Sequence, residues 1–174
     1  MAGISYDNKT LYFISDNPAT SIGGRDIFYA TLDKNGNWSS PVNLGPVVNT
    51  PYDEVDFFLH PDGRTMYFCS KGHIFKTVKN ADGEWTTPVN LGYPINTPLD
   101  DAFYVTTASG TTAYYASVRP EGYGLLDLYE LKYHVDKETQ KEEDKVLVTL
   151  VKGVVRDATT TFPLEAKIDR KSVV

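Results

Sequence analysis

Apolar positions along this chain come in short, dense runs separated by turn residues, not at helical spacing. Thr65-Met66-Tyr67-Phe68-Cys69 is apolar almost throughout, which predicts a strand covered on both faces. Before it stand Phe57-Phe58-Leu59 and the turn Asp62-Gly63, a hairpin signal. After it come a third run, Ile74-Phe75-Lys76-Thr77-Val78, and the turn Asn80-Ala81-Asp82-Gly83. A fourth strand is expected from Trp85 towards Val89. No stretch up to about Tyr133 combines helical periodicity with caps.

The same blocks recur at fixed spacing. Gly36-Asn37-Trp38 returns as Gly83-Glu84-Trp85, and Pro41-Val42-Asn43-Leu44-Gly45 as Pro88-Val89-Asn90-Leu91-Gly92, both 47 positions on. Asn49-Thr50-Pro51 returns as Asn96-Thr97-Pro98 at the same shift. Asp62 to Phe68 corresponds to Asp7 to Phe13 and to Ser109 to Tyr115. Asp26-Ile27-Phe28 corresponds to His73-Ile74-Phe75 and to Asp127-Leu128-Tyr129. The outer copies carry a Gly-rich insert before that block, Ser21-Ile22-Gly23-Gly24-Arg25 and Glu121-Gly122-Tyr123-Gly124, and the middle copy lacks it. Four strands in a repeat of roughly 40–50 residues is the pattern of a β-propeller blade. The expectation is therefore an all-β chain with a partial propeller of about three four-stranded blades over residues 1–134. A ring takes roughly four to eight blades. So the chain is expected to be part of a larger propeller, or to complete a ring as a homo-oligomer with another copy.

The last forty residues change character. Residues 135–145 are dominated by Lys and Glu and are expected to form a solvated linker or hairpin tip. From 146 to 174, Val146 to Val151, Gly153 to Asp157 and Pro163 to Ile168 suggest the initial strands of a β-sandwich domain. About thirty residues cannot bury a sandwich core alone. Their edges would be open to pairing with another chain or with the last blade.

Composition narrows the function classes. Aromatics make up 13% of the chain, which favours strands. Seventeen basic residues against 23 acidic give a net charge of −6, without a basic block, so nucleic acid is not an expected partner. No apolar run approaches the roughly 20 residues that cross a bilayer as a helix. Met1-Ala2-Gly3 leads straight into strand-like sequence, so an export signal is not expected in this segment. The single cysteine, Cys69, excludes an internal disulfide framework.

Candidate chemistry is sparse. Asp53-Glu54 and Asp100-Asp101 look like paired carboxylates, yet they hold equivalent repeat positions. A turn acid is needed in every blade and a catalytic pair only once, so these acids, with Asp26 and Asp127, are expected to serve turns. His60, His73, His134 and Cys69 show no ligand spacing, so no metal and no cofactor are expected. Cys69 lies in an apolar strand and is expected to be a buried, inert thiol. Arg25, Arg64 and Arg119 occur one per repeat, and their dispersion argues against the converging cluster of a sialidase-like hydrolase or glycan binder, the rival reading. No catalytic residue is assigned. The candidate interaction loops are the two inserts, with Ser21, Arg25, Arg119 and Tyr123. The bland account of these inserts is that their glycines supply positive φ.

The blocks Asp62 to Phe68, Asp26-Ile27-Phe28 and Gly83-Glu84-Trp85 through Asn90-Leu91-Gly92 to Asn96-Thr97 resemble the TolB-like, WD-repeat-like propellers of bacterial envelope proteins. The segment Leu150 to Asp157 with Pro163-Leu164-Glu165-Ala166 resembles the start of a carboxypeptidase-regulatory-like domain. That order is similar to OmpA-family proteins of Bacteroidetes, including accessory proteins of type IX secretion. The resemblance implies a non-enzymatic scaffold in the periplasm, associated with the outer membrane and contacting envelope proteins such as components of the secretion machinery. Peptidoglycan binding belongs to a further domain in those proteins and is carried by no residue here.

Overall fold

The computed structural model describes residues 1–134 and 147–152. Among the described residues all twelve elements are strands, arranged as three four-stranded antiparallel sheets. The first holds β1 (Ala2–Ile4), β2 (Thr10–Ser15), β3 (Asp26–Thr31) and β4 (Val42–Asn43). The second holds β5 (Glu54–Leu59), β6 (Thr65–Ser70), β7 (His73–Val78) and β8 (Val89–Asn90). The third holds β9 (Asp101–Thr106), β10 (Thr112–Ser117), β11 (Asp127–His134) and β12 (Leu147–Lys152). Each is a meander whose strands pair in chain order. These are three consecutive blades, and they do not close a ring.

The repeat is visible in the register. Phe13 pairs with Phe28, Phe68 with Phe75, and Tyr115 with Tyr129. The rings of each pair lie 5.7–6.0 Å apart between centroids. The hairpin turns repeat as well: Asn8, Gly63 and Gly110 all take a left-handed φ, of 58°, 70° and 68°. Only glycine, or asparagine with its short polar side chain, adopts that conformation readily. Where the middle blade lacks the insert, Lys71 and Gly72 form a two-residue loop with both φ positive, as a tight hairpin requires.

Two hydrophobic cores result, one at each sheet–sheet contact. Between the first and second blades pack Tyr12, Ile27, Val48, Phe57, Met66 and Phe68. Between the second and third pack Ile74, Ile95, Tyr104, Ala113, Tyr115, Tyr129 and Leu131. The middle blade thus buries both faces of β6, as its unbroken apolar run foretells. Each fully buried large side chain stabilises by about 1.5–3 kcal/mol.

The fourth strands differ from expectation. Trp85 forms an isolated bridge with Lys79, and pairing resumes only at Val89–Asn90. Pro88 lies between and has no N–H to donate to the ladder. The first blade repeats the interruption, with Trp38 bridging Leu32, then Pro41, then β4. Leu147–Lys152, grouped in sequence with the opening of a sandwich, lies antiparallel to β11 as the fourth strand of the third sheet. The charged segment and the later sandwich strands lie outside the described residues.

A repeated asparagine ties each blade to the next. Asn49 accepts from Ile27 N at 2.9 Å and donates to Ile27 O at 2.8 Å. It also donates to Asn43 Oδ1, which caps Gly45 N. Asn96 makes the same set with Ile74 N, Ile74 O and Asn90 Oδ1, and Asn90 caps Gly92 N. The Asn-Leu-Gly and Asn-Thr blocks recur because one amide pins the connection to the third strand of its blade.

Asn96→Ala should lower stability by about 2 kcal/mol, because it leaves the buried Ile74 amide unpaired and removes one of the two donors to the Ile74 carbonyl, which keeps Leu91 N. Asn37→Ala, in an exposed turn, should cost under about 0.5 kcal/mol. Urea unfolding midpoints compare the two, and equal small losses would remove the latch role.

Candidate interaction face

Antiparallel alternation brings the connections β2–β3, β4–β5, β6–β7, β8–β9 and β10–β11 to one end of the blades. Both Gly-rich inserts are at this end. Asp26, fully buried at the start of β3, organises the first. Its carboxylate accepts from Ile22 N at 2.6 Å, Gly23 N at 3.2 Å and Asn43 Nδ2 at 2.6 Å. Asp127 plays the same part in the third blade, accepting from Tyr123 N at 2.7 Å. His73 occupies the position in the middle blade, where there is no insert to hold.

The insert glycines have a different purpose from the expected one. Gly23, Gly24, Gly122 and Gly124 do not adopt positive φ. A Cβ at Gly24 would collide with Asp53 Oδ1, and one at Gly122 with Asp127 Oδ2. Gly24 and Gly122 are needed because carboxylates lie directly against the backbone, and Gly23 because the backbone carbonyls of Thr50 and Tyr52 do.

The four candidate residues are not equivalent. Arg25 is half exposed and holds Asp53 through its backbone N–H at 2.8 Å and its guanidinium at 3.2 Å. These bonds, the backbone one foremost, keep the Asp53 carboxyl below the usual aspartate range. Ser21 is half-buried, and its N–H donates to Asn17 O. Tyr123 is well exposed. Arg119 is buried, which takes it off the exposed surface. Its guanidinium bonds Pro94 O and Tyr115 OH and lies 4.8 Å from the centre of the Tyr129 ring. It anchors the β8–β9 connection onto the third blade.

Sequence reasoning missed most of the apolar surface at this end. Tyr93 and Leu125 are 84% and 85% exposed, joined by Val47, Tyr52, Leu99 and Leu126. A partial signal existed: Tyr52 and Leu99 both follow a Thr-Pro pair and precede an acid, where a polar turn residue would be ordinary.

The paired carboxylates serve the connections. Glu54 Oε1 accepts from Thr50 N at 3.1 Å and Thr50 Oγ1 at 2.7 Å. Asp101 accepts from Thr97 N and Thr97 Oγ1. Glu54 is wholly buried, and desolvation, with a smaller push from Asp26, raises its carboxyl to about 7. Its Oε2 has no hydrogen-bond partner among the described residues. Cys69 is buried, donates to Asp101 O at 3.2 Å, and is pushed up to about 12, chiefly by desolvation. Among the described residues no three of His, Cys, Asp and Glu gather as metal ligands.

The opposite end carries a cleft of about 380 Å³ between the second and third blades, lined by His60, Lys76, Tyr67, Tyr104 and Tyr133 among others. Tyr104 and Tyr133 share a hydroxyl bond of 2.8 Å, and the Tyr67 and Tyr104 rings lie 4.7 Å apart. Burial raises all three hydroxyls, Tyr67 to about 12. His60 Nε2 reaches Thr107 O at 3.2 Å and Nδ1 accepts from Asp62 N.

Strand order and packing define the class: an all-β chain of consecutive propeller-like blades. No protein-family model matches it, and no curated protein matches it in sequence. Among solved structures it is similar to the holo form of the pyranose dehydrogenase PQQ domain from Coprinopsis cinerea, at 12% identity and a TM-score of 0.49. That match covers 97% of this chain and 46% of the other, so the chain spans less than half of its length.

Glu54 generates a pH prediction. Its folded pKa lies above its unfolded one, so its favourable share is intact below about 4.5 and is lost as pH rises through about 7. Glu54→Gln keeps an acceptor for Thr50 and removes that loss. At pH 8 the variant should melt a few degrees higher relative to wild type than at pH 4. Parallel melting curves across this range would refute the assignment.

Proposed function

We propose that this chain is a non-enzymatic scaffold segment of an OmpA-family envelope protein, periplasmic and associated with the outer membrane. It binds partner proteins, secretion-machinery components among them, through the insert-bearing end of its blades. The observation that carries this reading is the concentration of exposed Tyr and Leu side chains, with Arg25, on loops held by a rigid set of sheets. Clustered exposed apolar side chains mark contact surfaces, and Tyr and Arg are the types that anchor them. The envelope setting draws on the resemblance of the repeated blocks to TolB-like propellers.

The chemistry of the acids supports a role without turnover. Asp26, Glu54, Asp101 and Asp127 each hold backbone N–H groups of their own connections. The Cys69 thiol stays protonated at neutral pH. The rival, a sialidase-like hydrolase, gains no support from the arginines. Arg25 pairs with Asp53 at the insert end, Arg119 is buried, and Arg64 bonds Lys79 O at the opposite end.

The test has two arms. Purified protein should turn over no member of a panel of glycosides and esters, and robust hydrolysis would defeat the reading. Immobilised protein should retain envelope proteins from a Bacteroidetes extract. The combined variant Tyr93→Ser, Tyr123→Ser, Leu125→Ser should reduce that capture by roughly tenfold or more. Undiminished capture would remove this face as the interface.

A further inference from the structure

The first insert shows what a connection between blades can receive. Gly23 lies against the backbone carbonyls of Thr50 and Tyr52, and Gly24 against the Asp53 carboxylate. Arg25 gives that carboxylate both its N–H and its guanidinium. Residues 97–100 repeat residues 50–53 at the shift of 47. They are held in the same way. Asp101 bonds Thr97 as Glu54 bonds Thr50, and Asp101 N donates to Gly72 O as Glu54 N donates to Arg25 O.

The middle blade differs in having no insert to lay on its connection. Its β6–β7 loop is Lys71 and Gly72, and Gly72 takes the chain position of Arg25 without a side chain. A Cβ at Gly72 would collide with Asp100 Oδ1, as one at Gly24 would with Asp53 Oδ1. Asp100 is therefore placed like Asp53, beside the loop. Its carboxylate is exposed and makes no hydrogen bond and no ion pair among the described residues. The cation next to it is engaged elsewhere: Lys71 Nζ stands 4.5 Å from the centre of the Tyr52 ring and 3.4 Å from its hydroxyl. Leu99 and Tyr93, on the same connection, are exposed apolar neighbours.

We infer that residues 97–100, with Gly72, receive an arginine-bearing loop of a partner protein, in the manner in which the first insert lies on residues 50–53. The guanidinium bonds Asp100, and its aliphatic stem lies along Leu99. Arginine is the matching cation because its planar fork can meet both oxygens of one carboxylate. The net charge of −6 favours the approach of such a basic loop. The inference rests on the insert-bearing end being a protein-contact face, and it names the chemistry of what binds there.

The probe is a capped peptide with the sequence of residues 20–25 of this chain, titrated into the isotope-labelled full chain and followed by NMR. The amides of Gly72, Leu99 and Asp100 should shift, with a dissociation constant in the millimolar range. Asp100→Asn should weaken binding roughly two- to fivefold, as the loss of one exposed ion pair does. Glu84→Gln, an exposed change at the opposite end, should leave it unaltered. The same peptide with glutamine in place of arginine should produce no shifts at these amides. Absence of shifts at millimolar peptide would overturn the inference, and so would binding indifferent to Asp100→Asn or to loss of the peptide's arginine. Capture of envelope proteins that persists alongside such a result would keep the face as an interface and remove only the arginine loop as its ligand.

Discussion

A thin sheet with apolar side chains on both faces must be sandwiched, and this single requirement organises the molecule. No blade here could bury its aromatic residues alone. The middle blade satisfies the requirement by using one face for each neighbour. Among the described residues the outer blades meet another sheet on one face only. Stability is therefore held at the contacts between sheets more than within any sheet, as in other repeat architectures. The aromatic pairs Phe68–Phe75 and Tyr115–Tyr129 each stand where one sheet meets another.

The connections between blades solve a second problem, that of buried polar backbone. A chain leaving the outermost strand must cross back to the innermost strand of the next blade. Asn49 and Asn96 satisfy both polar groups of a buried residue on the way. The carboxylates of Glu54 and Asp101 hold the same connection from the next strand, through Thr50 and Thr97. A motif that looks like a chemical signature thus comes from hydrogen-bond satisfaction, required once per blade.

Much of this was legible from spacing alone. The blocks recur at 47 positions, or at 54 and 55 where an insert intervenes, so strand positions, blade count and the buried Cys69 could be read directly. Turn acids were legible because they recur where chemistry would not need to. Three things were not legible. Pro41 and Pro88 split the fourth strands into a tryptophan bridge and a short terminal pair, which the recurring Trp-to-Val blocks did not mark. Arg119 stands in a loop-like sequence, yet the Tyr129 ring and Pro94 carbonyl draw it inward, which depends on contacts distant in sequence. The insert glycines suggested left-handed backbone, whereas Gly24 and Gly122 make room for Asp53 and Asp127 and Gly23 for the backbone at Thr50 and Tyr52, contacts invisible to local reading.

Cys69 sits on the seam between the second and third blades, sealed by Asp101 and held as a neutral thiol. Because it is the chain's sole sulfhydryl, its reaction with an alkylating reagent is a clock for separation of that seam alone. Labelling at the rate of global unfolding would mean the two blades part only when everything does, and faster labelling would mark the third blade as a detachable unit.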